Sequence, residues 1–521
     1  MNTEQLGFEE REFCSLFSLE PQDIQNIKPE SINKNLYMRI RLIPHQGPCP
    51  DCNYTPDEAH IHAVVETRIE HSLLTDRRCK ILYERNRFKC PLCGRTYYEA
   101  NPFVSSRARI SNLTVNNILD DLKSPTETFT SVAERYHISP TSAASIFDMH
   151  IHMARLPLPK VLSFDEVYAF RSEKSKYVCV LLDFITQEPV DLLPDRYKDN
   201  LITYFNNIPL EERDNVQFCC FDMYKTYRDV MKTCLKSSRG CVDRFHMAKD
   251  LNGRLDQYRI QVMRRCKRDD QNTYWLLKKY GWLLLKRQDE EDRDGVRLFA
   301  KDRKKIRVGQ FKKSMNYYEI REKIFDIDQN IRPVWQLKED VIAFYETNTA
   351  ETAGAELDSL IEKFRTSKVL QVKKFAETLS TWREEILNSF EIVDARYEID
   401  KATGVVSVQG IRSSSSVIER KNSTIKLIKK SACGYGNWQR FRNRCLYVMR
   451  SGTDGRLTCE QAAKIEDKKY REKKKKEAEE LMKSEAVKEE QTIDVTDHTE
   501  MPSANAISFS DYVLMRGEDD Q

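Results

Sequence analysis

The chain has 521 residues, 40% hydrophobic and 32% charged, with a formal net charge of +4. That length predicts two to four compact units. The absence of any run of eighteen apolar residues argues against a membrane span, and the acidic start MNTEQLGFEEREF lacks the apolar stretch of a secretory signal. The expectation is a cytoplasmic protein whose fifteen cysteines are thiols or metal ligands rather than a disulfide framework. Charge is uneven: Ser484 to Gln521 holds ten acidic and two basic residues, a net of −8, which leaves +12 on residues 1–483. A positive body with an acidic tail suits a nucleic-acid partner.

In chain order, residues 1–35 read as a polar leader. Residues 36–104 are rich in β-branched and aromatic residues and carry two cysteine pairs, Cys49-Pro-Asp-Cys52 and Cys90-Pro-Leu-Cys93-Gly94. Each pair sits on a turn that offers two corners of a tetrahedron. Together they predict a four-cysteine Zn²⁺ ribbon, with a pair of redox motifs or plain buried thiols as the competing reading. His60, His62, His71 and Cys79 lie between the pairs and read as surface or core residues.

Residues 105–157 predict short helices. Within FTSVAERYHISPTSAASIFDMHI, Ala133 allows close helix approach, His137-Ile138-Ser139 breaks the pattern, and Ser139-Pro140 supplies an N-cap followed by Pro in the first turn. This predicts a DNA-binding helix-turn-helix whose second helix runs through Ile146 and Phe147. A plain helical hairpin is the alternative, and His137 departs from the Gly common at such turns.

Residues 158–250 carry apolar runs spaced like buried strands, KVLSF, YVCVLLDF and VQFCCF. Asp165 and Asp222 follow the first and third of these, where a strand end holds a carboxylate rigidly beside a cleft. Residues 251–410 return to helical periodicity, with Phe375, Leu379, Trp382 and Ile386 on one predicted helix face. In residues 411–458, Glu419 is the only acid among ten Lys and Arg from Arg412 through Arg450, with Tyr435, Trp438, Phe441 and Tyr447 interleaved. Arg420, Lys421, Lys426, Lys429, Lys430, Trp438, Arg440, Arg442 and Arg444 are the predicted DNA-binding residues. Residues 459–521 read as a charged tail, helical or disordered.

The blocks FDEVYAF, CCFDMYKTY, VDRFHMAKDLN with Asp256 and Arg259 downstream, and VIERKNSTIKLIKKSACGYGNWQRFRNRCL resemble those of the ISL-three insertion-sequence transposases, over residues 40–450. The resemblance implies an α/β, ribonuclease-H-like catalytic core with a helical insertion, preceded by the zinc ribbon and the helix-turn-helix. It also implies an acidic triad of Asp165, Asp222 and Glu419 holding Mg²⁺ or Mn²⁺, with Glu166, Asp243, Arg244, His246 and Asn422 as neighbours. One departure is Arg420, where the family pattern commonly has Gly. The implied activity is metal-dependent cleavage and strand transfer at terminal inverted repeats of double-stranded chromosomal DNA, by a homodimer or larger assembly and with no membrane partner. The rivals are a catalytically inactive DNA-binding regulator and a ribonuclease-H-like nuclease without strand transfer.

Overall fold

Strand alternation in the N-terminal third builds a five-stranded sheet from β1 (Ile24–Ile32), β2 (Asn35–Leu42), β3 (Ile61–His71), β4 (Cys79–Lys89) and β5 (Thr96–Tyr98). The computed structural model describes residues 19–72, 77–105, 108–171, 175–399, 406–412, 416–452 and 455–493. The sheet order is β1-β2-β4-β3, with β5 on the end of β4. Period-two residues Ile81 and Tyr83 of β4 pack with Met38, Ile40, Ile69 and Phe103 into a small core. The sheet reaches further back than the sequence suggests, since β1 falls inside the segment read as a leader. Pro29 in IQNIKPESI spoils the strand signal there, and the structure tolerates it because β1 is an edge strand.

Three short helices follow: α1 (Asn112–Asp121), α2 (Phe129–Arg135) and α3 (Pro140–His150). Thr128 and Ser131 form a reciprocal capping box on α2, while the Ser139 hydroxyl accepts from the Ser142 amide with Pro140 in the first turn of α3. The turn between α2 and α3 does require a left-handed residue, and His137 supplies it at φ 55°. Ile146 and Phe147 face inward, which leaves Thr141, Ser145 and Asp148 as the exposed side of α3.

The central sheet contains β6 (Val161–Tyr168), β7 (Tyr177–Asp183), β8 (Pro189–Leu193), β9 (Phe218–Phe221) and β10 (Arg239–Val242), in the order β10-β9-β6-β7-β8. β7 is antiparallel to both of its neighbours, β6 and β8, whereas β9 and β10 run parallel to β6. Parallel pairing needs crossovers. Helices α4 (Lys198–Asn206) and α5 (Leu210–Asp214) lead into β9, and α6 (Lys225–Cys234) leads into β10. One sheet face, with Leu162, Phe164, Cys219, Phe221 and Val242, packs on Phe205, Tyr227 and Val230. The other face gathers Val161, Phe218, Cys220 and Cys241.

A helical segment then interrupts the sheet-associated chain: α7 (Arg244–Asp269), α8 (Gln271–Tyr280), the short hairpin β11 (Ile306–Val308) and β12 (Lys313–Met315), and α9 (Tyr317–Phe325), α10 (Ile331–Thr347), α11 (Ala353–Arg365), α12 (Leu370–Thr381) and α13 (Arg383–Asn388). Its apolar faces join the core beneath the central sheet. Phe375, Leu379, Trp382 and Ile386 are all buried, but they span two helices instead of one, because the backbone breaks at Trp382. There the indole lies under the Arg228 guanidinium, 3.5 Å from its centroid, which ties the break to α6. Arg259 pairs with Asp256 at 2.6 Å and donates to the Leu277 carbonyl, joining α7 to α8.

A hairpin of β13 (Ile392–Ile399) and β14 (Val406–Arg412) leads to α14 (Ser416–Ser431) and α15 (Trp438–Met449). The last helix, α16 (Cys459–Ile493), belongs to a separate unit and carries lysine–glutamate pairs such as Lys473–Glu477. Most of the acidic tail lies outside the described residues. Among the described residues, no helix is long and apolar enough to cross a membrane.

Candidate metal centre and acidic site

The two cysteine turns are built alike. Asn53 donates its amide to the Cys49 carbonyl and Gly94 donates to the Cys90 carbonyl, both at 2.9 Å, and both donors have positive φ, 58° and 77°. Four sulfurs converge as a result: Cys49 and Cys93 at 3.6 Å, Cys52 and Cys90 at 3.5 Å, with all four within 4.8 Å. Sulfurs at the corners of a zinc tetrahedron stand about 3.8 Å apart. The Cys93 amide, helped by that of Leu92, donates to the Cys90 sulfur and pulls its thiol down to about 7. His60 and His62 are exposed, and the buried His71 instead holds the Ser111 hydroxyl at 2.7 Å, so neither they nor Cys79 joins the cluster.

The acidic site begins with strand register. Ser163 of β6 pairs with Cys220 of β9, so two residues on, Asp165 stands level with Asp222, and alternation puts both on the same sheet face. Val242 of β10 pairs with Phe221, which places Asp243 level with Asp222 in turn. Asp165 thus lies within β6, while Asp222 and Asp243 directly follow β9 and β10, the two strands that run parallel beside it. Asp243 caps α7 by accepting from the Phe245 amide at 3.1 Å, and the first turn of that helix carries Arg244, exposed, and His246, half-buried.

Helix α14 packs on β6 through a buried stripe of Ile418, Asn422, Ile425 and Ile428. Asn422 donates to Asp165 Oδ2 at 2.7 Å, and the Glu166 amide donates to Oδ1 at 2.8 Å. Glu419 lies one turn before Asn422, partly exposed, where its charge acts on Asp165. Burial, reinforced by the charges of Glu166 and Glu419, pushes the Asp165 carboxyl up to about 6. Burial likewise raises Asp222 to about 6, with Glu166 and Asp165 adding repulsion, while His246 opposes the rise at both aspartates. Asp165 therefore senses Glu419, Asp222 senses Asp165, and both sense His246. The carboxylates are nonetheless more loosely grouped than the thiols: among the described residues, only the four cysteines draw three or more potential ligands within 4.8 Å.

Glu166 points to the opposite face, where Arg196 pairs with it and the Tyr227 hydroxyl donates at 3.2 Å. Arg196 is itself flanked by the rings of Tyr177 and Tyr224. Nothing in the local sequence singles out Arg196 or Tyr227, because their importance comes from the fold bringing them to Glu166.

Residues 162–398 match the model of a transposase family of the ISL-three, DDE type. The chain resembles a transposase. The transposase match covers both aspartates and His246, is narrower than the span of the sequence resemblance, and ends before Glu419. The chain is also 19% identical over 417 residues to a transposase for insertion sequence element IS1001 from Bordetella parapertussis, covering 79% of this chain and 91% of that one.

The structure divides the predicted DNA-binding residues. Arg444 is fully buried and donates to the Ser124 and Glu127 carbonyls, so it has no surface to offer DNA. Arg442 pairs with Asp191 and donates to the Met153 carbonyl, Arg440 chelates Asp148, Lys421 donates to the Met449 carbonyl, and Trp438 packs on Phe170. Sequence could not set Arg444 apart because a cation in a buried helix face looks the same on paper as one facing solvent. Arg420, Lys426 and Lys430 are exposed on α14, and Lys429 lies 4.3 Å over the exposed ring of Tyr168.

Proposed function

We propose that the chain is a DNA transposase that binds terminal inverted repeats and carries out metal-dependent cleavage and strand transfer, with Asp165, Asp222 and Glu419 as the ligands of Mg²⁺ or Mn²⁺. The carrying observation is the register that levels Asp165 with Asp222 on one sheet face while α14 holds Glu419 within electrostatic reach. The transposase-family match over both aspartates supports it. We read the order β10-β9-β6-β7-β8, three antiparallel strands followed by two parallel ones, as a ribonuclease-H-like core.

The residues fit a hard divalent cation. All three candidate ligands are carboxylates; at Asp165 and Asp222 burial and like charge oppose ionisation, and a cation relieves both. The Asn422 Oδ1 beside them is buried with no hydrogen-bond partner. When bound, such an ion activates the attacking oxygen and stabilises the leaving oxygen of a phosphodiester. The protein's own groups do the placing. β6 and β9 fix the aspartates, α14 orients Glu419, His246 adds a basic group at the mouth, and Arg420, Lys426 and Lys430 hold backbone phosphates. The four cysteines bind Zn²⁺ and, with α1–α3 acting as a helix-turn-helix, recognise the repeat; joining two ends calls for a dimer or larger assembly.

The test incubates zinc-loaded full-length protein with Mg²⁺ and a labelled duplex of the sequence flanking its gene. The expected products are cleaved ends bearing 3′ hydroxyls together with joined strands, both lost in Asp222→Ala. Binding without cleavage would make the protein a regulator, and cleavage without joining a nuclease.

A further inference from the structure

The buried stripe of α14 is apolar except at one place. Ile418, Ile425 and Ile428 face β6, and between them stands Asn422, 5% exposed. An aliphatic residue would complete the stripe, so the amide needs a reason. Half of that reason is visible: Nδ2 donates to Asp165 Oδ2 at 2.7 Å, while the Glu166 amide holds Oδ1. This fixes the amide's orientation, since the flipped form would set two oxygens against each other. The other half of the amide, Oδ1, is buried and has no partner. Asn422 also stands three residues after Glu419, on the same helix face.

We infer that Asn422 is a positioning residue for the divalent ion, its Nδ2 locking Asp165 while its Oδ1 accepts a hydrogen bond from a water of the ion held by the three carboxylates. The inference rests on the metal-binding reading above. It assigns one side chain two tasks: orienting the strand-borne ligand and keeping the helix that bears Glu419 in register with it. A purely structural link between α14 and β6 would need only the first hydrogen bond.

The experiment measures Mn²⁺ binding to zinc-loaded full-length protein by the spin-resonance signal of free Mn²⁺. Asn422→Ala should weaken Mn²⁺ by about tenfold or more, the usual consequence of losing a partner behind a metal ligand. Asn422→Asp should lower the melting midpoint without divalent ions, because a carboxylate then faces Asp165, and Mn²⁺ should restore that loss, giving a larger Mn²⁺-induced rise than in the parent protein. Unchanged Mn²⁺ affinity in Asn422→Ala, with binding abolished in Asp165→Ala, would overturn the inference alone. Should Asn422→Ala fail to fold, an Asn422→Asp deficit that Mn²⁺ leaves unrepaired would overturn it equally. Full Mn²⁺ affinity in Asp165→Ala would instead remove the metal-binding reading beneath it.

Discussion

The cysteine cluster and the acidic site, each proposed above to gather metal ligands, are built in opposite ways. The thiols come from two similar turns, the second directly after β4, and pack within 4.8 Å. The carboxylates come from β6, the end of β9 and α14, with 196 residues separating Asp222 from Glu419 in sequence. Like charge keeps such groups apart where burial weakens solvent screening, as at Asp165 and Asp222. The first arrangement is suited to holding a fold together. On the proposed function the second gives up stability for chemistry, so substitutions at the two sites should have opposite signatures.

The largest expected effect is at the cysteines. Structural zinc in small domains contributes on the order of 10 kcal/mol, so Cys90→Ser should abolish hydrogen-exchange protection in β1–β5 while β6–β10 keep theirs. Protection that survives in β1–β5 would mean that the small core around Ile81 and Tyr83 suffices without metal.

Next comes Arg444→Ala, which removes a buried guanidinium and its charged hydrogen bonds to two carbonyls and should cost about 3 kcal/mol in urea unfolding. If it instead weakened DNA binding at unchanged stability, the internal role given to Arg444 would be wrong.

His71 gives the N-terminal region a second pin. Burial lowers its imidazole to about 4 from an ordinary 6.5, so the neutral ring is the folded form and the unfolded chain binds the extra proton. The contribution is present above about pH 6.5 and is lost as pH falls towards 4, by about 2–3 kcal/mol. His71→Asn should flatten that loss relative to the parent protein, and identical pH curves would reject the assignment.

At the acidic site the sign reverses. Asp165→Asn should raise stability by about 1 kcal/mol without divalent ions, since it removes a buried charge, while eliminating cleavage. A fall in stability would make Asp165 a structural residue. The smallest effect is at the surface: Lys426→Ala should leave stability unchanged and reduce the salt slope of DNA binding by about one.

Sequence made local features legible and left long-range ones dark. The cysteine turns and the Ser139-Pro140 cap depend on neighbouring residues, and both stand where the pattern puts them. The strand-end reading holds for Asp222, whereas Asp165 lies inside β6 because that strand continues to Tyr168 against β7; their common face follows from a parallel register between strands about fifty residues apart. β1 was hidden by Pro29, and the break at Trp382 by an unbroken apolar stripe. Arg196, Tyr227 and the inward turn of Arg444 depend on contacts across the whole fold, which no local spacing reports.

The most direct test of the central claim, that one divalent ion is shared by Asp165, Asp222 and Glu419, is to replace Mg²⁺ with Fe²⁺ in zinc-loaded protein and map ascorbate-driven backbone cleavage. The account predicts cuts clustered beside residues 165, 222 and 419, suppressed by excess Mg²⁺. Cuts beside the two aspartates with none near Glu419 would contradict it.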